Sequence, residues 1–309
     1  MARRFDVVVV GAGVMGAATA RSIARSGRTV ALLEQFAIGH TRGSSHGGSR
    51  IFRFSYPEPE YVEMARAALG LWRELEAEAG RELITVTGGL DFGKDLDRHL
   101  AALERCGAPF EVLTGDEVNR RWPAVAIASS ERALFQPNGG IARARDAWAA
   151  LAGSAARHGA EVIERAPVTH LVDGPDSVEI DTPAGILSAS VAVVTAGAWA
   201  RPLLATCGLD LPTIPTRETV TYFATQDGAP IPSVVEWDDP AVYALASPAE
   251  GGFEVKVGEH HAGPVTDPDQ EGVPDSASVE RIARWVARRC PGAHPIPLRS
   301  ETCLYTNTA

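Results

Sequence analysis

The chain has 309 residues and no visible internal repeat, enough for two domains with sizeable cores at about 150 residues each. Its composition, 45% hydrophobic and 22% charged, excludes a disordered or collagen-like polymer, and a formal charge of −10 would repel nucleic acid phosphates. Four scattered cysteines (Cys106, Cys207, Cys290, Cys303) form no C-x-x-C pair, so no metal site and no disulfide framework is expected, and a reducing cytoplasm is the default compartment.

The first predicted element is FDVVVV (5–10), a short β-branched run of the kind found in a strand buried on both faces of a parallel sheet. The two preceding arginines give this start the look of a signal peptide. Asp6 and the glycines at 11, 13 and 16 argue for a strand and turn instead. No run of about 18 apolar residues is available to cross a bilayer, so a soluble protein is expected. A helix of small residues follows over 14–25, with Gly27 as its C-terminal cap, and a second strand runs from Thr29 to Leu33 and ends at Glu34. The order is that of a βαβ unit.

Farther along, Val62, Ala65, Leu69, Trp72 and Leu75 recur at spacings of three and four, predicting an amphipathic helix over 57–80. TVTGGLDFG (85–93) reads as a strand pair, 95–105 as a helix, and Thr114-Gly-Asp-Glu as a capping box opening another. A helix over 145–158 precedes a strand at 160–164. Three β-rich stretches lie near 168–172, 177–181 and 187–195, and strands are expected at 217–224, 241–246 and 252–258. RIARWVARR (281–289) places Arg281, Arg284 and Arg288 at helical spacing, with Ile282 and Trp285 on another face, and reads as a solvated helix surface. The expected fold class is α/β (α+β): a Rossmann-like nucleotide domain (1–84, 139–208, 300–309) with an inserted, mostly antiparallel substrate domain (85–138, 209–299).

Gly11-Ala-Gly13-Val14-Met15-Gly16 fits G-x-G-x-x-G directly after a strand and at a helix start, the context that gives the motif its meaning. Gly11 permits the tight turn, Gly13 lets the backbone approach a pyrophosphate, and Gly16 allows helix and strand to pack closely. Eighteen residues beyond Gly16, Glu34 can accept hydrogen bonds from adenosine ribose hydroxyls. Val14, Met15, Gln35 and Ser45 join the candidate cofactor contacts. Spacing alone leaves NAD and FAD open.

Further motifs follow: Gly43-Ser-Ser-His46-Gly-Gly-Ser-Arg50-Ile-Phe-Arg53, TAGAW (195–199), Lys256-Val-Gly-Glu-His260 and Cys303-Leu-Tyr305. Together these resemble the monomeric sarcosine oxidase and N-methyltryptophan oxidase family, FAD enzymes of the D-amino-acid-oxidase-like group. The resemblance implies FAD attached through a thioether to Cys303 and Lys256 held over the flavin where oxygen is reduced. It also implies a substrate carboxylate bound by Arg53, Arg50 beside the flavin, and His46, His260 and Tyr305 in the active site. The implied reaction oxidises the C–N bond of a secondary amino acid to an imine and converts O2 to hydrogen peroxide, in a monomer with no membrane or nucleic acid partner. The alternatives are an amine dehydrogenase with another electron acceptor and a non-catalytic flavin-binding fragment. The last arises because the chain stops at Ala309, whereas the family continues to a second lysine that anchors the carboxylate.

Overall fold

The computed structural model describes residues 3–226 and 228–308. Three sheets and seven helices make up these residues. The first sheet contains β1 (Arg3–Val10), β2 (Val30–Leu33), β9 (Glu161–Ile163), β10 (His170–Asp173), β11 (Val178–Thr182) and β12 (Gly185–Val194), in spatial order β10-β11-β12-β1-β2-β9. β1 lies parallel to both β12 and β2, while β10 and β11 form an antiparallel edge.

Alternation of side chains along β1 divides its valines between two cores. Val7 and Val9 pack with the small face (Ala17, Ala20, Ala24) of α1 (Val14–Arg25) and with Trp148 and Leu151 of α5 (Ala144–Arg157). Val8 and Val10 meet Leu171, Ile180 and Leu203, the last from the short helix α6 (Ala200–Ala205). The sheet is therefore covered on both faces, as the continuous apolar run of β1 requires.

A small sheet joins β3 (Arg50–Phe52), β4 (Ile84–Val86) and β8 (Gly140–Ala142) in the order β3-β8-β4. The third sheet comprises β5 (Gly89–Gly93), β6 (Glu111–Thr114), β7 (Arg132–Gln136), β13 (Thr213–Thr225), β14 (Ser233–Trp237), β15 (Val242–Ala249), β16 (Gly252–Glu259) and β17 (Ala293–Thr308). Their order is β17-β13-β16-β15-β14-β5-β7-β6, antiparallel except at β14 and β5. Its core receives Ile282, Trp285 and Val286 from α7 (Ser276–Arg289). α2 (Pro59–Ala79), α3 (Leu96–Arg105) and α4 (Gly115–Arg121) complete the helices, and Thr114 caps α4 through the capping box expected.

Several expectations need correction. The stretch 85–93 is not a strand pair: β4 pairs with β8 and β5 with β7 and β14, so adjacent segments enter different sheets. Residues 300–308, assigned above to the nucleotide domain, belong to β17 and pair with β13 from Thr213↔Thr308 onward. The basic face of α7 is solvated as expected: Arg281, Arg284 and Arg288 are exposed, while Ile282 and Trp285 are buried. Arg281 also grips the buried Glu259 with two nitrogens at 2.7 Å, and Arg289 bridges Glu131 and Glu236.

Candidate active site

The turn after β1 leaves room only for glycine. Gly11 has φ +99°, and a Cβ there would stand 2.6 Å from the carbonyl oxygen of Thr195. A Cβ on Gly16 would stand 1.8 Å from the Gly11 oxygen, so this glycine sets the distance between α1 and the turn. The N-terminal peptide N–H groups of α1 have no intrahelical acceptor, and no acidic side chain occupies its first turn. Ser45 Oγ accepts from the N–H of Val14 at 2.9 Å, tying the 43–50 loop to this helix. Glu34 is buried, and its carboxylate accepts from the N–H of Ala12 (3.0 Å) and of Phe36 (2.9 Å), which fixes it at the end of β2.

A cavity of about 400 Å³ opens over this turn, and Gly11, Gly13, Val14, Met15, Glu34, Gln35 and Ser45 all line it. Gly16 lies beneath it. Donors aimed at an anion, a carboxylate at the strand end and an apolar wall including Leu33 and Leu203 suit a dinucleotide.

A second cavity, about 260 Å³, brings together Arg50, Arg53, Lys256, His260, Cys303 and Tyr305. They come from β3 and the segment after it, from β16 and the loop beyond it, and from β17. Cys303 and Tyr305 are two residues apart and share one face of β17. Leu304, between them, lines the first cavity and accepts a hydrogen bond at 2.6 Å from Ser44 Oγ. One strand thus adjoins both cavities.

Alternation along β16 places Lys256. Its neighbours Val255 and Val257 point into the core shared with α7, so Lys256 must point the other way, into the second cavity. It is 3% exposed and donates to the carbonyl oxygen of Ser49 at 3.3 Å. Burial, helped by the nearby Arg50 charge, lowers its pKa from 10.5 to about 7. Arg50 donates to Ser44 O (2.7 Å) and Ser49 O (2.9 Å) and approaches Cys303 Sγ at 3.7 Å. Arg53 lies between the rings of Tyr56 (4.8 Å) and Trp237 (5.0 Å). Among the described residues, none of these three cations forms an ion pair.

His46 and His260 are neutral at pH 7. Burial lowers His260 to about 4 and likewise His46, to which the Arg50 and Lys256 charges add. His260 Nδ1 lies 3.2 Å from Tyr305 Oη, whose pKa is pushed up to about 12 by burial. His46 lines neither cavity, but its Nε2 is buried without a partner, as are the hydroxyls of Ser49 and Ser247. Orphaned polar atoms beside the cations fit a polar ring system placed between the two cavities. Tyr56, Trp237 and Tyr243 also line the second cavity and had no signal of their own in the sequence, since a lone aromatic residue reads as core.

The model of the family DAO, FAD dependent oxidoreductase, matches residues 6–308. The chain belongs to this family. It is therefore an FAD dependent oxidoreductase of α/β fold. It is 34% identical over 325 residues to the monomeric sarcosine oxidase of Bacillus sp. (strain B-0618), covering 100% of this chain and 82% of that one. It is 28% identical to the N-methyl-L-tryptophan oxidase of Yersinia pestis (strain Pestoides F), covering 97% and 83%. Among solved structures, the open form of NikD, an unusual amino acid oxidase essential for nikkomycin biosynthesis, superposes with a TM-score of 0.87 at 26% identity, covering 99% of this chain and 82% of that one.

Proposed function

We propose that this protein is an amino acid oxidase of the sarcosine oxidase type, oxidising the C–N bond of a secondary, N-methyl-type amino acid and reducing O2 to hydrogen peroxide. The observation that carries the reading is the convergence of Arg50, Arg53 and Lys256, without ion-pair partners among the described residues, on one small cavity beside the dinucleotide groove. Sarcosine oxidases and an N-methyltryptophan oxidase among the relatives support it. When bound, FAD supplies the two-electron acceptor and delivers those electrons to oxygen.

Arg53 is the carboxylate anchor: its planar fork suits two parallel hydrogen bonds, and the flanking rings of Tyr56 and Trp237 restrict its motion. Ile51, Val242 and Leu245 provide an apolar wall for the N-alkyl group. His260, neutral and held to Tyr305, adds no charge to oppose binding of an amine. Lys256 places a donor and a potential cation where negative charge develops during oxygen reduction, in a site too buried for water to screen it. Cys303, facing the cavity next to Arg50, supplies the sulfur for covalent attachment of the cofactor.

The FAD-loaded protein mixed anaerobically with N-methyl amino acids is expected to lose its flavin absorption, and in air to form peroxide in step with substrate consumed. A flavin that binds yet is bleached by no N-methyl amino acid would overturn the substrate class. Bleaching with rapid dye reduction but little peroxide would replace oxidase with dehydrogenase.

A further inference from the structure

Behind the second cavity lies a buried polar network that the reaction does not use directly. Asp91, at the middle of β5, is 1% exposed. Its Oδ1 accepts from the Trp237 indole N–H at 2.9 Å, and its Oδ2 accepts from the Gln136 amide at 2.7 Å. The Gln136 carbonyl in turn accepts from the backbone N–H of Phe54 (2.6 Å) and of Ser55 (2.8 Å), the two residues that follow Arg53. Ser55 Oγ closes the cluster by hydrogen bonding with His99 Nδ1 at 2.8 Å.

One carboxylate therefore fastens two supports of the same arginine. Through Gln136 it holds the backbone beside Arg53, and through Trp237 it orients a ring against which the guanidinium lies. The residue type follows from the bonding. Two donors converge on position 91, and a carboxylate is acceptor-only on both oxygens, whereas an amide would turn a donor toward a donor. Isolating such a group from water is costly, and burial raises its pKa against the opposing Arg53 charge and the Trp237 and Gln136 hydrogen bonds. Yet Asp91 makes no ion pair with Arg53. A direct pair would occupy the donors that a substrate carboxylate needs and would have to be broken on binding.

We propose that Asp91 is the positioning residue for Arg53, fixing its backbone and its aromatic support from beyond ion-pair distance so that the guanidinium fork stays open to the carboxylate of an amino acid substrate. This inference rests on the reading of Arg53 as the carboxylate anchor. The FAD-loaded wild type is compared with Asp91→Asn, Trp237→Phe and Arg53→Met, using acetate as the carboxylate probe and dimethylamine as the probe without one, both titrated by calorimetry.

Displacement of an arginine by a fraction of an ångström weakens oriented binding by about tenfold. Asp91→Asn and Trp237→Phe are each expected to raise the acetate Kd by about that factor, with the dimethylamine Kd within about twofold of wild type. KM for an N-methyl amino acid should rise more than kcat falls. A merely structural lesion would weaken both probes together, and that outcome overturns the proposal. So does an unchanged acetate Kd in Trp237→Phe, which preserves a ring and decides the matter if Asp91→Asn does not fold. Arg53→Met separates the two claims. Acetate binding that survives Arg53→Met overturns the carboxylate reading itself, while its loss there together with wild-type binding in the other two overturns only the role of Asp91.

Discussion

Lys256 joins stability to chemistry in a single side chain. The folded protein lowers its pKa to about 7, whereas the unfolded chain keeps it near 10.5. Between those values the unfolded state binds more protons than the folded one, so stability of the FAD-free protein should rise as pH increases from about 7 to 10.5, with no contribution to the slope below that window. Lys256→Met should flatten this rise in denaturant titrations at stepped pH; an equal slope in both proteins would contradict the assignment. The same variant in its FAD-loaded form should slow reoxidation by oxygen by about 10² to 10³ while anaerobic reduction by substrate changes far less. Comparable losses in both half-reactions, seen by stopped-flow absorption, would remove the oxygen-side role.

At the level of elements, the glycine turn is the least tolerant part of the fold. Gly16→Ala forces a methyl to 1.8 Å from the Gly11 oxygen and 2.6 Å from Thr195 Oγ1, so α1 must move away from β1. Loss of FAD binding and destabilisation of about 1 to 3 kcal/mol are expected from calorimetry. Gly70→Ala, in the exposed middle of α2 with open space around it, should instead stabilise by about 1 kcal/mol.

The helices were legible in the sequence because period and caps are local: α2, α3 and α5 lie close to their expected spans, and the Thr114 box is present as read. The strands were less so. β14 was missed because Pro230 and Pro232 make its approach read as a turn, and β17 because Pro295 and Pro297 interrupt its first half. Pairing was hidden for a different reason: β4 and β5 are adjacent in sequence, but their partners lie far along the chain. The candidate site residues could be found from motifs, whereas Asp91 and Trp237 could not, because their importance lies in what they hold.

Across the whole molecule, the sheets meet where chemistry is needed. A chain of net charge −10 encloses a cavity lined by Arg50, Arg53 and Lys256, so the basic groups in the pocket are opposite in sign to the protein's net charge. The pocket favours an anion that the exterior does nothing to attract, which points to recognition at short range. Cys303 lines the pocket and its neighbour Leu304 the nucleotide groove, so the covalent link proposed for Cys303 would span the two. Cys303→Ser should release its flavin into the supernatant on acid precipitation, whereas the wild-type pellet stays yellow; colour retained in the variant pellet would place the link elsewhere.

β17 carries sulfur and phenol toward one compartment and Leu304 toward the other, on consecutive positions of an edge strand aligned by β13 alone. A slip of that ladder by a single residue would exchange the two sets, presenting leucine to the second cavity and turning cysteine toward the first. The strand thus works as a vernier: a single insertion between Ala293 and Cys303 that propagated along it would silence the enzyme while leaving every catalytic side chain in the sequence.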